Sequence, residues 1–169
     1  AISRNSLQKL PVPVPGQARP DRGSPREIDM NLMFTRLTLG VAGGLALGIG
    51  VAITLVPDAF YGSYGIVLPA SPDFYSEVRA PGANLAILGA LMGIGALKPD
   101  WRRFSAALGT CVFFAYAAGR MVGIALDGMP SEAILLALAI ELVLGGLCAL
   151  ALRRTRRQTG RTHQAQMAG

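Results

Sequence analysis

The sequence predicts an all-α polytopic membrane protein: a four-transmembrane-helix bundle with a disordered N-terminal arm. Three observations carry that expectation. Hydrophobic residues make up 51% of the 169, and mean hydropathy is +0.43, more apolar than an ordinary soluble domain. Charged residues amount to only 15%, gathered in clusters between stretches of about 20 residues, the length a helix needs to cross hydrocarbon. The basic residues that give the net charge of +6 sit beside those stretches, so they read as topology signals and nucleic acid is not an expected partner.

Residues 1–35 form the arm. They are rich in Pro, Arg and Ser and include the run Pro11-Val12-Pro13-Val14-Pro15, which buries too little apolar surface to order itself. No apolar core follows the first residues and no small-residue cleavage site precedes Met30, so the arm does not read as a cleavable signal. Met30 and Met33 stand just ahead of the first apolar stretch, where translation could also start.

Residues 36–152 hold the transmembrane domain, with spans at about 36–56, 77–97, 103–126 and 132–152. The first ends ahead of Pro57. A loop follows with Tyr61, Tyr64, Phe74 and Tyr75, amphipathic rings suited to the headgroup layer. The short turn from Lys98 to Arg103 joins the second and third spans as a tight hairpin. Asp127-Gly128-Met129-Pro130-Ser131 is a turn, and Ser131 stands where an N-cap belongs. Residues 153–169 form a basic tail opening with Arg153-Arg154-Thr155-Arg156-Arg157.

Small residues recur at fourfold spacing, letting helix backbones approach: Gly40, Gly44 and Gly48 in the first span, Gly89 and Gly93 in the second, Ala115, Gly119 and Gly123 in the third, Gly145 and Ala149 in the fourth. The expectation is packing within the bundle; oligomerisation or a pore is the alternative.

Lys98, Arg102 and Arg103 mark the middle turn and four arginines the C-terminus, whereas the loop from Pro57 to Ser76 and the turn after Leu126 carry no Lys or Arg. Because cytoplasmic flanks retain positive charge, this predicts a multi-pass protein of the bacterial inner membrane with both termini cytoplasmic. The Arg run also admits reading as an anionic-lipid or nucleic-acid patch.

Cys111 and Cys148 lie inside apolar stretches as small packing residues, and the single histidine, His163, lies in the tail. No zinc-ligand spacing, Walker or dinucleotide glycine loop, or Ser/His/Asp set can be assembled, so no catalytic residue, metal or cofactor is expected. Ionisable groups inside a bilayer cost a few kcal/mol or more each and gather inward, in pairs. Six polar residues qualify as a ligand or polar cluster: Glu77, Arg79, Asn84, Arg120, Asp127 and Glu141. At a rise of about 1.5 Å per residue, Arg120 lies roughly 9 Å and Glu141 roughly 15 Å below the outer boundary, within reach of each other. Arg120 and Asp127, seven apart, share a face, which also admits a bidentate pair there. The expectation is that all six gather in the outer half of the bundle, either as a network that fixes helix register or as an outward-opening pocket.

The segment Ser76-Glu77-Val78-Arg79-Ala80, followed by Gly119-Arg120, Leu126-Asp127-Gly128-Met129-Pro130-Ser131 and Glu141, resembles the bacterial membrane family known as domain of unknown function 4345. The resemblance covers about Leu37 to Leu152 and implies a four-helix membrane protein, more remotely similar to DoxX-like proteins, with no activity attached. Here Pro81-Gly82-Ala83-Asn84 stands where the family pattern has an aromatic and paired glycines, a departure that leaves the role of that segment open.

Three functions remain. The first is a non-enzymatic accessory or small-ligand- and lipid-binding membrane subunit, with membrane lipids and a membrane-protein partner or a second copy as its associates. The second is a proton-coupled transporter or channel component in which Glu141 carries the proton, since desolvation favours its neutral form. The third is an enzyme acting on a lipid or quinone with paired carboxylates as acid and base, for which no nucleophile or metal set is present.

Overall fold

The structure, a computed structural model, describes residues 25–167, with side chains from 29 to 155. Among these the chain forms α1 (Pro25–Leu55), α2 (Pro57–Gly62), α3 (Pro72–Leu97), a 3-10 turn (Pro99–Trp101), α4 (Arg102–Asp127) and α5 (Glu132–Met167), and no strand. Four helices, over Asp29–Leu55, Pro72–Leu97, Pro99–Asp127 and Glu132–Thr155, are long and apolar enough to cross a membrane. They run up and down in chain order, α1 packing chiefly on α3 and α4 on α5, with α3–α4 and α1–α5 contacts closing the bundle.

The helix ends differ from expectation in ways local chemistry explains. The arm was expected to reach residue 35, but the helix starts at Pro25, whose fixed φ and missing N–H suit a first helical position. The remainder of the arm lies outside the described residues. α3 likewise begins five residues before the expected 77, at Pro72 with Asp73 in its first turn favoured by the helix dipole. It runs unbroken through Pro81, so the segment at which the family pattern departs is helical. Pro57 starts a short helix inside the aromatic loop. Past the fourth span, α5 continues as helix through the basic segment to Met167. At its other end the Ser131 carbonyl accepts from the Ile134 and Leu135 amides, at 3.0 and 3.1 Å.

Large apolar side chains cover the outside, among them Leu37, Ile87, Val122, Leu136 and Val143. This is the inverse of a soluble surface and what hydrocarbon accepts. The interior mixes small residues with larger apolar ones. One cluster at mid-depth joins Ala42, Ala46, Leu85, Met92, Val112, Phe113, Leu144 and Cys148. A second, of Leu39, Ala106 and Ala151 with Phe34, Ala96 and Leu152 against it, plugs the end near the Lys98–Arg103 turn. Ser105, fully buried, donates to the Leu91 carbonyl at 2.8 Å and ties α4 to α3 there.

The glycines that bring α1 to α3 differ in part from those the fourfold spacing picks out. A Cβ at Gly43 would stand 2.6 Å from the Gly93 nitrogen and 2.7 Å from the Gly89 oxygen; one at Gly50 would stand 2.6 Å from the Gly82 oxygen and overlap the Ala86 nitrogen; one at Gly89 would stand 2.8 Å from the Gly43 oxygen. Gly89 therefore lies in the helix contact, whereas Gly93 offers its backbone to Gly43 but a Cβ of its own would meet nothing within 4 Å. Gly44 and Gly48 do not lie in it: a Cβ there meets nothing within 4 Å, and at Gly40 only Ala96, at 3.9 Å. The contact stripe is Leu39, Gly43, Ala46 and Gly50, spaced by four and three, and it turns the 40/44/48 stripe outward. In α4, a Cβ at Gly119 also meets open space and one at Gly123 meets only its own helix's Asp127, at 3.9 Å. Gly145 does sit in a contact, 3.0 Å from the Phe114 ring by the same measure.

Candidate functional site

Buried residues of α4 fall at Ala106, Gly109, Phe113 and Ala117, and the same stripe carried one turn further reaches Arg120. Buried residues of α5 fall at Leu144, Cys148 and Ala151, and that stripe carried one turn back reaches Glu141. Each charge therefore continues the core face of its own helix, and the antiparallel pairing sets them opposite. Arg120 Nε donates to Glu141 Oε1 at 2.8 Å and to Oε2 at 2.9 Å. The Glu141 side chain is 11% exposed and that of Arg120 29%. This is the only ion pair among the described residues. Within a span, unpaired charge costs a few kcal/mol, and pairing offsets much of that.

Only Nε is used. The two terminal amines of Arg120 make no hydrogen bond among the described residues, although a guanidinium facing a carboxylate can offer a two-pronged fork. They stay on the partly open side of the pair. Tyr116, 39% exposed, stands one turn before Arg120 on α4.

The other predicted residues stand apart from it. Glu77, Arg79, Asn84 and Asp127 are exposed. The core face of α3 is fixed by Gly82, Leu85, Gly89 and Met92 against its neighbours, which leaves Glu77 and Asn84 outside it. Arg79 lies with its guanidinium carbon 5.4 Å from the Tyr75 ring centroid, and the Tyr75 hydroxyl donates to Asp58 at 2.7 Å, tying α2 to the start of α3. Asp127 ends α4, and Arg120 turns to Glu141 instead of to it. The expected six-residue cluster is therefore an ion pair with a tyrosine, and four of the six lie elsewhere. Tyr116 was missed because an aromatic in an apolar span reads as packing; its place one turn from an intramembrane arginine was the available clue. No group of three His, Cys, Asp or Glu side chains among the described residues is placed to hold a metal ion.

Four apolar helices in antiparallel order, apolar outside and closed around one ion pair, define a multi-pass membrane bundle. Within that class the chain belongs to the family described as a domain of unknown function (DUF4345), whose profile matches residues 34–152 and so takes in all four helices and the Arg120–Glu141 pair. The resemblance seen in the sequence is thereby established. No curated protein and no solved structure matches the chain.

Proposed function

We propose that this protein is a non-enzymatic accessory subunit of the bacterial inner membrane, both termini cytoplasmic, that binds a membrane-phase ligand through acceptor oxygens, a lipid or quinone headgroup, at Arg120. The observation that carries the reading is the half-used guanidinium: Nε is committed to Glu141 while the terminal amines have no partner. In hydrocarbon, N–H donors without acceptors are costly, so a carbonyl or phosphate oxygen beside them is favoured. Glu141 holds the guanidinium in place, and Tyr116, four residues before Arg120 on the same helix, carries a hydroxyl donor. The orientation rests on the one-sided distribution of Lys and Arg.

Photo-crosslinking with a ubiquinone analogue and with a phospholipid analogue tests it. Wild type should label at α4 or α5, and Arg120→Gln combined with Glu141→Gln, which leaves no unpaired charge, should lose the label while remaining monodisperse and helical. Full labelling of the double variant refutes the site. The burial of Glu141 supports a second reading, proton carriage. Proton flux in proteoliposomes that vanishes in Glu141→Gln would favour it.

A further inference from the structure

A second polar surface lies at the opposite end of the bundle. Six cations surround the Leu39, Ala106 and Ala151 plug, each within a few residues of an apolar group that forms it: Arg36 on α1, Lys98 after α3, Arg102 and Arg103 opening α4, Arg153 and Arg154 on α5. Two of them are set in place by contacts on the bundle. Arg36 Nε donates to the Ala96 carbonyl at 3.2 Å, bracing α1 to α3, and the Arg154 guanidinium carbon stands 4.2 Å from the centroid of the Phe34 ring, bracing α5 to α1. Trp101 and Phe104, edge to face with centroids 5.8 Å apart and both exposed, mark this end as lying at headgroup level.

None of the six cations forms an ion pair among the described residues. Among the residues whose side chains are described, the acids near this end are Asp29 and Asp100, two against six, and both are exposed. Arg102 adds a second, independent observation: its Nε is fully enclosed yet has no hydrogen-bond partner. A buried N–H without an acceptor is costly and calls for one. We propose that this collar is a binding site for an anionic phospholipid of the adjoining leaflet, with Arg102 as its inner donor. The headgroup phosphate is the dense acceptor at that depth, and the partly exposed Arg102 side chain stands at the start of α4 among the other cations. Cations drawn from all four spans also differ from a basic run on one stretch of chain: a headgroup bound between cations of different helices would hold those helix ends together.

The test uses the full chain in vesicles of phosphatidylcholine, alone or with phosphatidylglycerol added. Phosphatidylglycerol should bind in preference to phosphatidylcholine, remain bound in native mass spectrometry and raise the thermal unfolding temperature. Each cation removed, as in Arg102→Gln or Arg154→Gln, should weaken that preference about fivefold. Unfolding in pure phosphatidylcholine serves as the folding control, and Arg102→Lys, which keeps the charge, gives a second variant expected to retain most of the binding. Equal binding of the two lipids, undiminished preference in both Gln variants, or the same stabilisation by inorganic phosphate alone overturns the proposal. None of these outcomes involves Arg120 or Glu141, so the lipid collar and the ligand reading above stand or fall separately.

Discussion

The two hairpins of this bundle solve one problem in two ways. Helices in hydrocarbon gain nothing from hiding apolar surface, so they must associate by close packing or by polar contact. The α1–α3 pair uses packing of backbone on backbone, with Gly43 and Gly50 set against Gly82, Ala86, Gly89 and Gly93 and no ion pair between the two helices. The α4–α5 pair uses side chains: Phe114 lies over Gly145, Cys148 over Gly109, and Arg120 reaches Glu141. A backbone contact has no slack, whereas a side chain can shift. The first hairpin is therefore suited to fixing geometry, and the second to a polar contact that can adjust.

That contrast breaks most readily at Gly50 and Gly89. Replacing either with Ala drives a Cβ into opposing backbone, at Gly50 within 2.6 Å of the Gly82 oxygen and at Gly89 within 2.8 Å of the Gly43 oxygen. Neither neighbour can rotate away, so the helices must separate. The expected cost is about 3 kcal/mol, the upper end of what overpacking brings. Denaturant titration of the purified protein in mild detergent should show it as a lowered midpoint. Unchanged midpoints would mean that α1 and α3 are not held backbone to backbone.

The ion pair comes next. Glu141→Gln leaves Arg120 without its counter-charge inside a span and should cost about 2–3 kcal/mol. Replacing both, as Arg120→Met with Glu141→Leu, should recover most of that loss, because two apolar groups need no pairing. A double-mutant cycle measures the coupling; a coupling near zero would place both groups in contact with water, outside any sealed interior. A smaller effect belongs to Gly145→Ala. Its Cβ would press on the Phe114 ring at 3.0 Å, but a ring on a half-exposed face can tilt, so about 1 kcal/mol is expected. If Gly145→Ala costs as much as Gly89→Ala, the distinction between the two hairpins fails.

Much of the fold was legible because the bilayer imposes length. Hydrocarbon-sized apolar stretches between charged clusters located all four helices, although charge and proline chemistry moved the ends at Pro25 and Pro72. The Arg120–Glu141 pair was legible in part: Arg120 could reach Glu141 or Asp127, and across the antiparallel helices it meets Glu141. What the sequence hid was rotation. Glu77, Asn84 and Asp127 lie near the right depth, but which way they face depends on which glycines α3 turns toward α1, and that is set by contact across helices. Spacing by four picks a stripe without saying whether a partner covers it. For α1, where Gly43 and Gly44 are adjacent in sequence, the contacting stripe runs through one and the exposed stripe through the other.

The exposed stripe supplies the finest test. A Cβ at Gly44 or Gly48 meets nothing within 4 Å, so Ala there disturbs no neighbour, while each change removes backbone freedom that an interior helical glycine must give up on folding. Gly44→Ala and Gly48→Ala should each be neutral or stabilising by about 0.5–1 kcal/mol, in the same titration in which Gly50→Ala collapses. The sign is what matters. A loss of stability would mean that something covers this face, and the candidate of matching shape is the same face of a second copy, brought close by the same bare backbone. Cross-linking yield should then fall in the Gly48→Ala variant along with stability. With neither falling, the 40/44/48 stripe faces lipid, and the work of joining α1 to the bundle rests on the glycines one position away.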